Sequence, residues 1–358
     1  MLLSFLLTAG LARAYTVTNV ELFMFKNIDP IVFPGQYVSH MHSFFGSDAV
    51  NINTSTSAEL REGCSTARNP NDFSVYCTSP FPYSLGYRTS LTLKETGVPT
   101  LFHVNASAPP NKTHTPITPY RFSAYYELLN EAEIPFPENF QVVAGNASAT
   151  SSSDLNPDNG ITWFCEGDDA EENKEKAAFP TKTCSTHLQT LLLFPDCANP
   201  ETFETAYSKN PRSFPGYNEN RCPEGMYRIP RLRFSIRYDL RDILPDGWEG
   251  APPPLELACG NEFCSHGDFI NGWLPEAAKY MLEDPTKAEY FQIKGPLGDG
   301  DQGTACTRAA GDSDPQHGTS DYAESLRMMA GRSTSTSNAT PAAKFKRGHQ
   351  HGPAHRGY

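Results

Sequence analysis

Leu232-Arg233-Phe234-Ser235-Ile236-Arg237-Tyr238 alternates without a break, apolar at 232, 234, 236 and 238 and polar between. Side chains on an extended chain point to opposite faces in turn, so this period of two predicts a strand with one face buried and one wet. Shorter apolar runs repeat the theme at Thr89–Leu93, Tyr120–Tyr126, Phe140–Val143, Gly160–Cys165 and Thr190–Phe194, each bounded by Pro, Gly, Asn or Asp. Thirty prolines in 358 residues leave little room for long helices, because a proline inside a helix removes a hydrogen bond and clashes with the preceding turn. Only Pro275–Leu282, with proline in the first turn, reads as a helix. Many short strands and long irregular connections predict a mainly β fold: a single β-sandwich or jelly-roll-like domain with long disulfide-stapled loops and one short helix.

Residues 1–14 form an apolar run ending in Ala12-Arg13-Ala14, the small-x-small pattern of a signal peptide cleavage site. No later stretch approaches the roughly 20 apolar residues of a transmembrane helix. From residue 312 to 358 the chain turns polar and poor in aliphatics, which predicts a disordered low-complexity tail. The β-rich domain is therefore expected over residues 15–311. Nine cysteines lie beyond the signal, and disulfides persist outside the reducing cytosol. Sequons at Asn53, Asn105, Asn111, Asn146 and Asn338 point to the same secretory route. Chain proximity suggests the pairs Cys64 with Cys77, Cys184 with Cys197 and Cys259 with Cys264, with Cys165 and Cys222 as a fourth and Cys306 left over.

The formal charge is −12, and the tail does not carry it, having six Lys/Arg against four Asp/Glu. An acidic body repels phosphate backbones, which excludes nucleic acid as a partner. The densest acidic run, Glu166–Glu175, lacks the spaced ligands and central glycine of an EF-hand and reads as a solvated loop.

Chemistry concentrates in two short motifs. Ser39-His40-Met41-His42 sets two imidazoles two residues apart, and Ser265-His266-Gly267-Asp268 repeats the spacing with a carboxylate in the third place. In extended backbone each pair shares a face, with about 6.6 Å between its members. The two motifs read as halves of one site. His103, His114 and His187 stand alone and read as surface or structural residues.

The blocks Asp29-Pro30-Ile31-Val32, Pro34-Gly35, Ser39–His42 with Gly46, Tyr125-Tyr126, Phe179–Lys182 with Cys184, Phe194-Pro195 with Cys197, Cys222-Pro223 and His266–Trp273 follow one another in order. In them the chain resembles the secreted fungal family of domain of unknown function nineteen-ninety-six, over about Leu22 to Cys306. The resemblance implies a secreted, mostly β protein, at times joined to modules that bind the cell wall. It implies no established activity. One departure is Tyr83–Tyr87, where relatives carry an aromatic-rich strand.

Three classes of function follow. A glycan-active hydrolase or lyase would use His40, His42, His266 and Asp268 as acid and base groups, since histidine titrates near 6.5 and a carboxylate two residues away fixes its tautomer. Arg121 or Tyr126 would then position the substrate. A glycosidase with paired carboxylates would draw on Asp29 and Asp268, although Asp29 precedes Pro30 and equally shapes a turn. A metal protein would take His40, His42 and His266 as ligands with Asp268 beside them, a set suited to zinc or copper rather than magnesium. A wall-associated binding protein would hold polysaccharide on Tyr125, Tyr126 and Trp273 without chemistry.

Overall fold

The computed structural model describes residues 14–37, 39–77, 99–105, 113–284 and 289–300, together with Asp312, Asp314 and His317. The expected signal peptide except Ala14, the Thr89–Leu93 strand, Asn111, Asn338, Cys306 and most of the tail lie outside the described residues. Within them the chain is mainly β, as the alternation implies, and two five-stranded antiparallel sheets dominate.

The first sheet is ordered Thr16–Val20, Arg121–Glu127, Arg231–Tyr238, Leu188–Leu193, Thr162–Cys165. The second is ordered Leu22–Lys26, His42–Gly46, Val75–Cys77, His266–Ile270, Gln141–Gly145. The opening stretch sits at the centre of the first sheet, pairing Phe234 with Ala124 and Ile236 with Phe122 on one side, and Phe234 with Leu192 on the other. Its even-numbered residues face inward and meet the second sheet. Phe45 and Phe122 stack at 4.4 Å, Tyr76 meets Phe234 edge-on at 5.8 Å, and Phe194 lies 4.5 Å from Phe234. Gly267 falls on this inner face. A Cβ there would lie 2.4 Å from Leu192 and 3.0 Å from Phe194, so the close approach of the sheets requires glycine.

The outer face of the second sheet carries a smaller core of Met24, Phe44, Val75 and Ile270, closed by Leu60. Leu60 belongs to a five-residue helix, Ser57–Arg61, that the periodicity misses. Its signal was nevertheless present in the sequence: Thr56 and Glu59 form a capping box. The helix expected near the C-terminal end spans Pro275–Glu283.

Three disulfides are described, and two correct the pairing expected from chain proximity. Cys165 bonds to Cys184 and Cys197 to Cys222. The reason is the Leu188–Leu193 strand, which lies between Cys184 and Cys197 and holds them apart by about 20 Å of extended chain. That strand instead pairs Leu188 with Cys165, which brings Cys184 back over Cys165. Cys259 joins Cys264 as expected. Cys64 is disulfide-bonded, but not to Cys77, which keeps its thiol. No helix among the described residues is long and apolar enough to cross a membrane.

Candidate functional site

The second sheet draws the two histidine motifs together. His42 opens one strand and His266 another, with the strand of Cys77 between them. Asp268 lies opposite Cys77 in register. Side chains directly opposite share a face, so His42, Cys77, Asp268 and His266 project to the same side. His40 precedes its strand, and its ring stands 5.2 Å from that of His42 and 5.7 Å from that of His266, nearly perpendicular to both.

Two members were not foreseen. Ser39 sets its hydroxyl 2.9 Å from His42 Nε2. Cys77, assigned to a disulfide, has its Sγ 3.8 Å from His42 Nδ1 and 3.7 Å from Asp268 Oδ2. Nothing in the sequence marks Cys77 as a retained thiol.

The cluster is sealed. His40, His42 and His266 are each 0% exposed, Asp268 1% and Ser39 3%. Burial disfavours the imidazolium, so His40 and His42 are held well below the ordinary histidine value, with the neighbouring imidazoles adding to the effect. His266 is pushed down to about 3 by burial, against the pull of the Cys264 carbonyl. That carbonyl accepts from Nδ1, which fixes the tautomer and leaves Nε2 as a bare lone pair. Among the described residues Nε2 of His266 and both ring nitrogens of His40 lack a hydrogen-bond partner.

Ser39 and His42 meet the distance condition for a nucleophile and its base, but a bulky substrate has no path to atoms so deeply covered. Neutral imidazoles far from their ordinary value are also poorly matched to proton transfer near neutral pH. No group of three or more His, Cys, Asp or Glu among the described residues is arranged to hold a metal ion. For the expected ligand set His40, His42 and His266, the cause is visible: nitrogens of His42 turn to Ser39 and Cys77, and Nδ1 of His266 turns to a carbonyl.

The residues expected to touch substrate are scattered. Asp29 is fully buried and accepts from the N–H groups of Ile31 and Val32 at 2.9 and 2.8 Å, the turn-shaping role. Tyr126 and Trp273 lie in the core between the sheets, a correction to their expected role. The Trp273 indole donates to Tyr126 Oη at 2.9 Å, and Tyr126 Oη lies 2.5 Å from Tyr76 Oη, which in turn bonds to Asp72. Inward register explains it, because Tyr126 pairs with Thr16 and Leu232 on the buried side.

Tyr125, one residue earlier, faces out. The Arg233 guanidinium lies 4.1 Å from its ring centroid and Tyr15 stacks on it at 6.3 Å. With Glu127, Arg231 and Glu289 these residues line an open depression of about 460 Å³. Arg121 lies on the same outer face and is exposed.

The architecture defines a class: a disulfide-stapled antiparallel β-sandwich carrying a buried polar cluster on the outer side of one sheet. The chain matches the family Domain of unknown function (DUF1996) over residues 29–273, and it belongs to that family. No curated protein and no solved structure matches it.

Proposed function

We propose that this protein works outside the cell and binds polysaccharide on the outer face of its first sheet. The observation that carries the reading is the tyrosine row Tyr290, Tyr15 and Tyr125, with Arg233 over the last ring, beside an open depression. Tyr290, 44% exposed at the end of the row that Arg233 and Tyr125 hold in place, offers a sugar a flat apolar face and a polar tip. Beneath this face the strands are tied by buried hydrogen bonds, Ser123 to Asn19 Oδ1 at 2.7 Å and Gln189 to Ser235 Oγ at 2.8 Å, so the exposed rings rather than these groups meet the sugar. The disulfides and the sequons at Asn53 and Asn105, both exposed, support the extracellular setting. A cell-wall or extracellular glycan is the partner this face suits. The test is retention on insoluble β-glucan, chitin and pectin: Tyr125→Ala should weaken binding about tenfold with an unchanged melting temperature. Equal retention of the variant, or no retention of the natural protein, would remove the reading.

A further inference from the structure

At the other end of the Tyr125 strand, Arg121 and Arg237 are direct cross-strand partners. Like charges placed opposite one another across a ladder are unfavourable unless something compensates them. Arg237 has its counter-charge: its Nε lies 2.8 Å from Glu166 Oε1, and Glu166 also engages His187 Nδ1 at 3.0 Å. Its Nη1 is nonetheless buried without a partner among the described residues. Arg121 makes no ion pair among the described residues. Its Nε is spent on neutral acceptors, Asn19 Oδ1 and Ser123 Oγ, both at 3.0 Å, while the side chain as a whole is exposed.

The surroundings add a surface for a ring. Tyr120 is 63% exposed and stacks on His187 at 4.5 Å with an interplanar angle of 11°. Tyr120 and Arg121 border a depression of about 430 Å³ together with Asn19, Glu21 and Arg68. Four guanidinium groups, Arg68, Arg121, Arg237 and Arg241, gather here among the carboxylates of Glu21, Glu166, Asp239 and Asp242, so recognition rests on the exposed Arg121 fork rather than on net charge.

We infer that this end of the sheet is a carboxylate subsite, and that the polysaccharide it takes is an acidic one built of uronic acids. The inference rests on the polysaccharide reading above and names its substrate class. The Arg121 fork binds the uronate carboxylate in two parallel hydrogen bonds, a geometry that guanidinium provides and ammonium does not. Tyr120 stacks on the sugar ring, and Arg237 supplies positive potential from behind. Tyr120, the bend residue just before the strand, lies five residues from Tyr125, at most about 17 Å of extended chain, so one extended polysaccharide spans both tyrosine sites.

The experiment is affinity gel electrophoresis of the full chain in polygalacturonate and in the same polymer fully methyl-esterified, which removes the charge and keeps the backbone. Retardation in the free acid should exceed that in the ester by about tenfold or more, and should fade as salt rises from low ionic strength. Arg121→Gln should erase the difference, while Arg121→Lys should recover only part of it. Tyr120→Ala should weaken binding to the acid without altering the melting temperature. Equal retardation in acid and ester, or an unaffected Arg121→Gln variant, would overturn the carboxylate subsite and leave the polysaccharide reading standing. Absence of retardation in either polymer, together with no retention on β-glucan or chitin, would overturn the polysaccharide reading itself and this inference with it.

Discussion

The His40–His42–His266 cluster sets the residue-scale behaviour of this protein through protons. Each imidazole is neutral in the fold, His266 with its value down at about 3, whereas an unfolded histidine titrates near 6.5. Unfolding therefore takes up protons below pH 6.5. The contribution of these groups to stability is whole above that pH and is lost as pH falls. Asp72 runs the other way. Burial lifts its carboxyl from 3.8 to about 7, so its contribution is whole below 3.8 and is lost as pH rises through 7. With three such imidazoles against one such carboxyl, the melting temperature should drop by several degrees between pH 6.5 and 5. Asp72→Asn should remove the decline on the alkaline side, between pH 6 and 8. A melting temperature that rises on acidification to pH 5 would show that the imidazoles are charged or wet. The nearness of the two histidine motifs is legible in their repeated i, i+2 spacing. The Ser39 contact is not, because it depends on the irregular backbone before His42, which brings residues three apart together instead of two.

Among elements, the alternating strand at 231–238 and its neighbours were readable because one face is buried and the other polar, the one condition under which sequence period reports structure. Side-chain roles followed the same parity. Odd residues of the Arg121–Glu127 strand face out and even ones face in, which separates Tyr125, a surface residue, from Tyr126, a core residue. Reading the two tyrosines as one pair of sugar-binding rings overlooked that alternation. Disulfide partners were legible only where five residues separate them, as in Cys259–Cys264. Elsewhere the strand between two cysteines decides, and strand direction is a tertiary fact. Non-reducing peptide mapping should recover Cys165–Cys184 and Cys197–Cys222 and find Cys77 slow to alkylate in the native protein. Rapid alkylation of Cys77 without denaturant would contradict its burial. Gly267→Ala should destabilise the fold by about 1–3 kcal/mol through overpacking against Leu192 and Phe194, read as a lower midpoint in urea with an unchanged slope.

Taken whole, the molecule is less cleanly divided into body and tail than composition suggests. Asp312, the first residue of the expected tail, places both carboxylate oxygens on Lys26 Nζ, at 2.6 and 2.7 Å, and the Asp314 carbonyl takes a further Lys26 hydrogen bond. Lys26 is itself 1% exposed. A polar, aliphatic-poor segment has no hydrophobic signature to betray such docking, because among the described residues the attachment is made by the Lys26–Asp312 ion pair, the Asp314 carbonyl and a ring contact of His317 with Tyr37. Removing one partner of a buried pair leaves an uncompensated charge and costs about 3–5 kcal/mol. Truncation ahead of Asp312, or Asp312→Asn in the full chain, should therefore lower the melting temperature by on the order of 5 °C or more. An unchanged value in both would show that Lys26 finds water or another anion.

That same ion pair ties together residues 286 positions apart in the chain. During synthesis the edge strand Leu22–Lys26 is made 286 residues ahead of the Lys26 counter-ion. A nascent or prematurely terminated chain can form disulfides and pair strands, yet it carries a lysine that must either stay in water or hold its strand off the sheet. Until Asp312 is made, the Leu22–Lys26 edge carries an uncompensated cation, which keeps that edge strand in water and opposes its pairing with another chain.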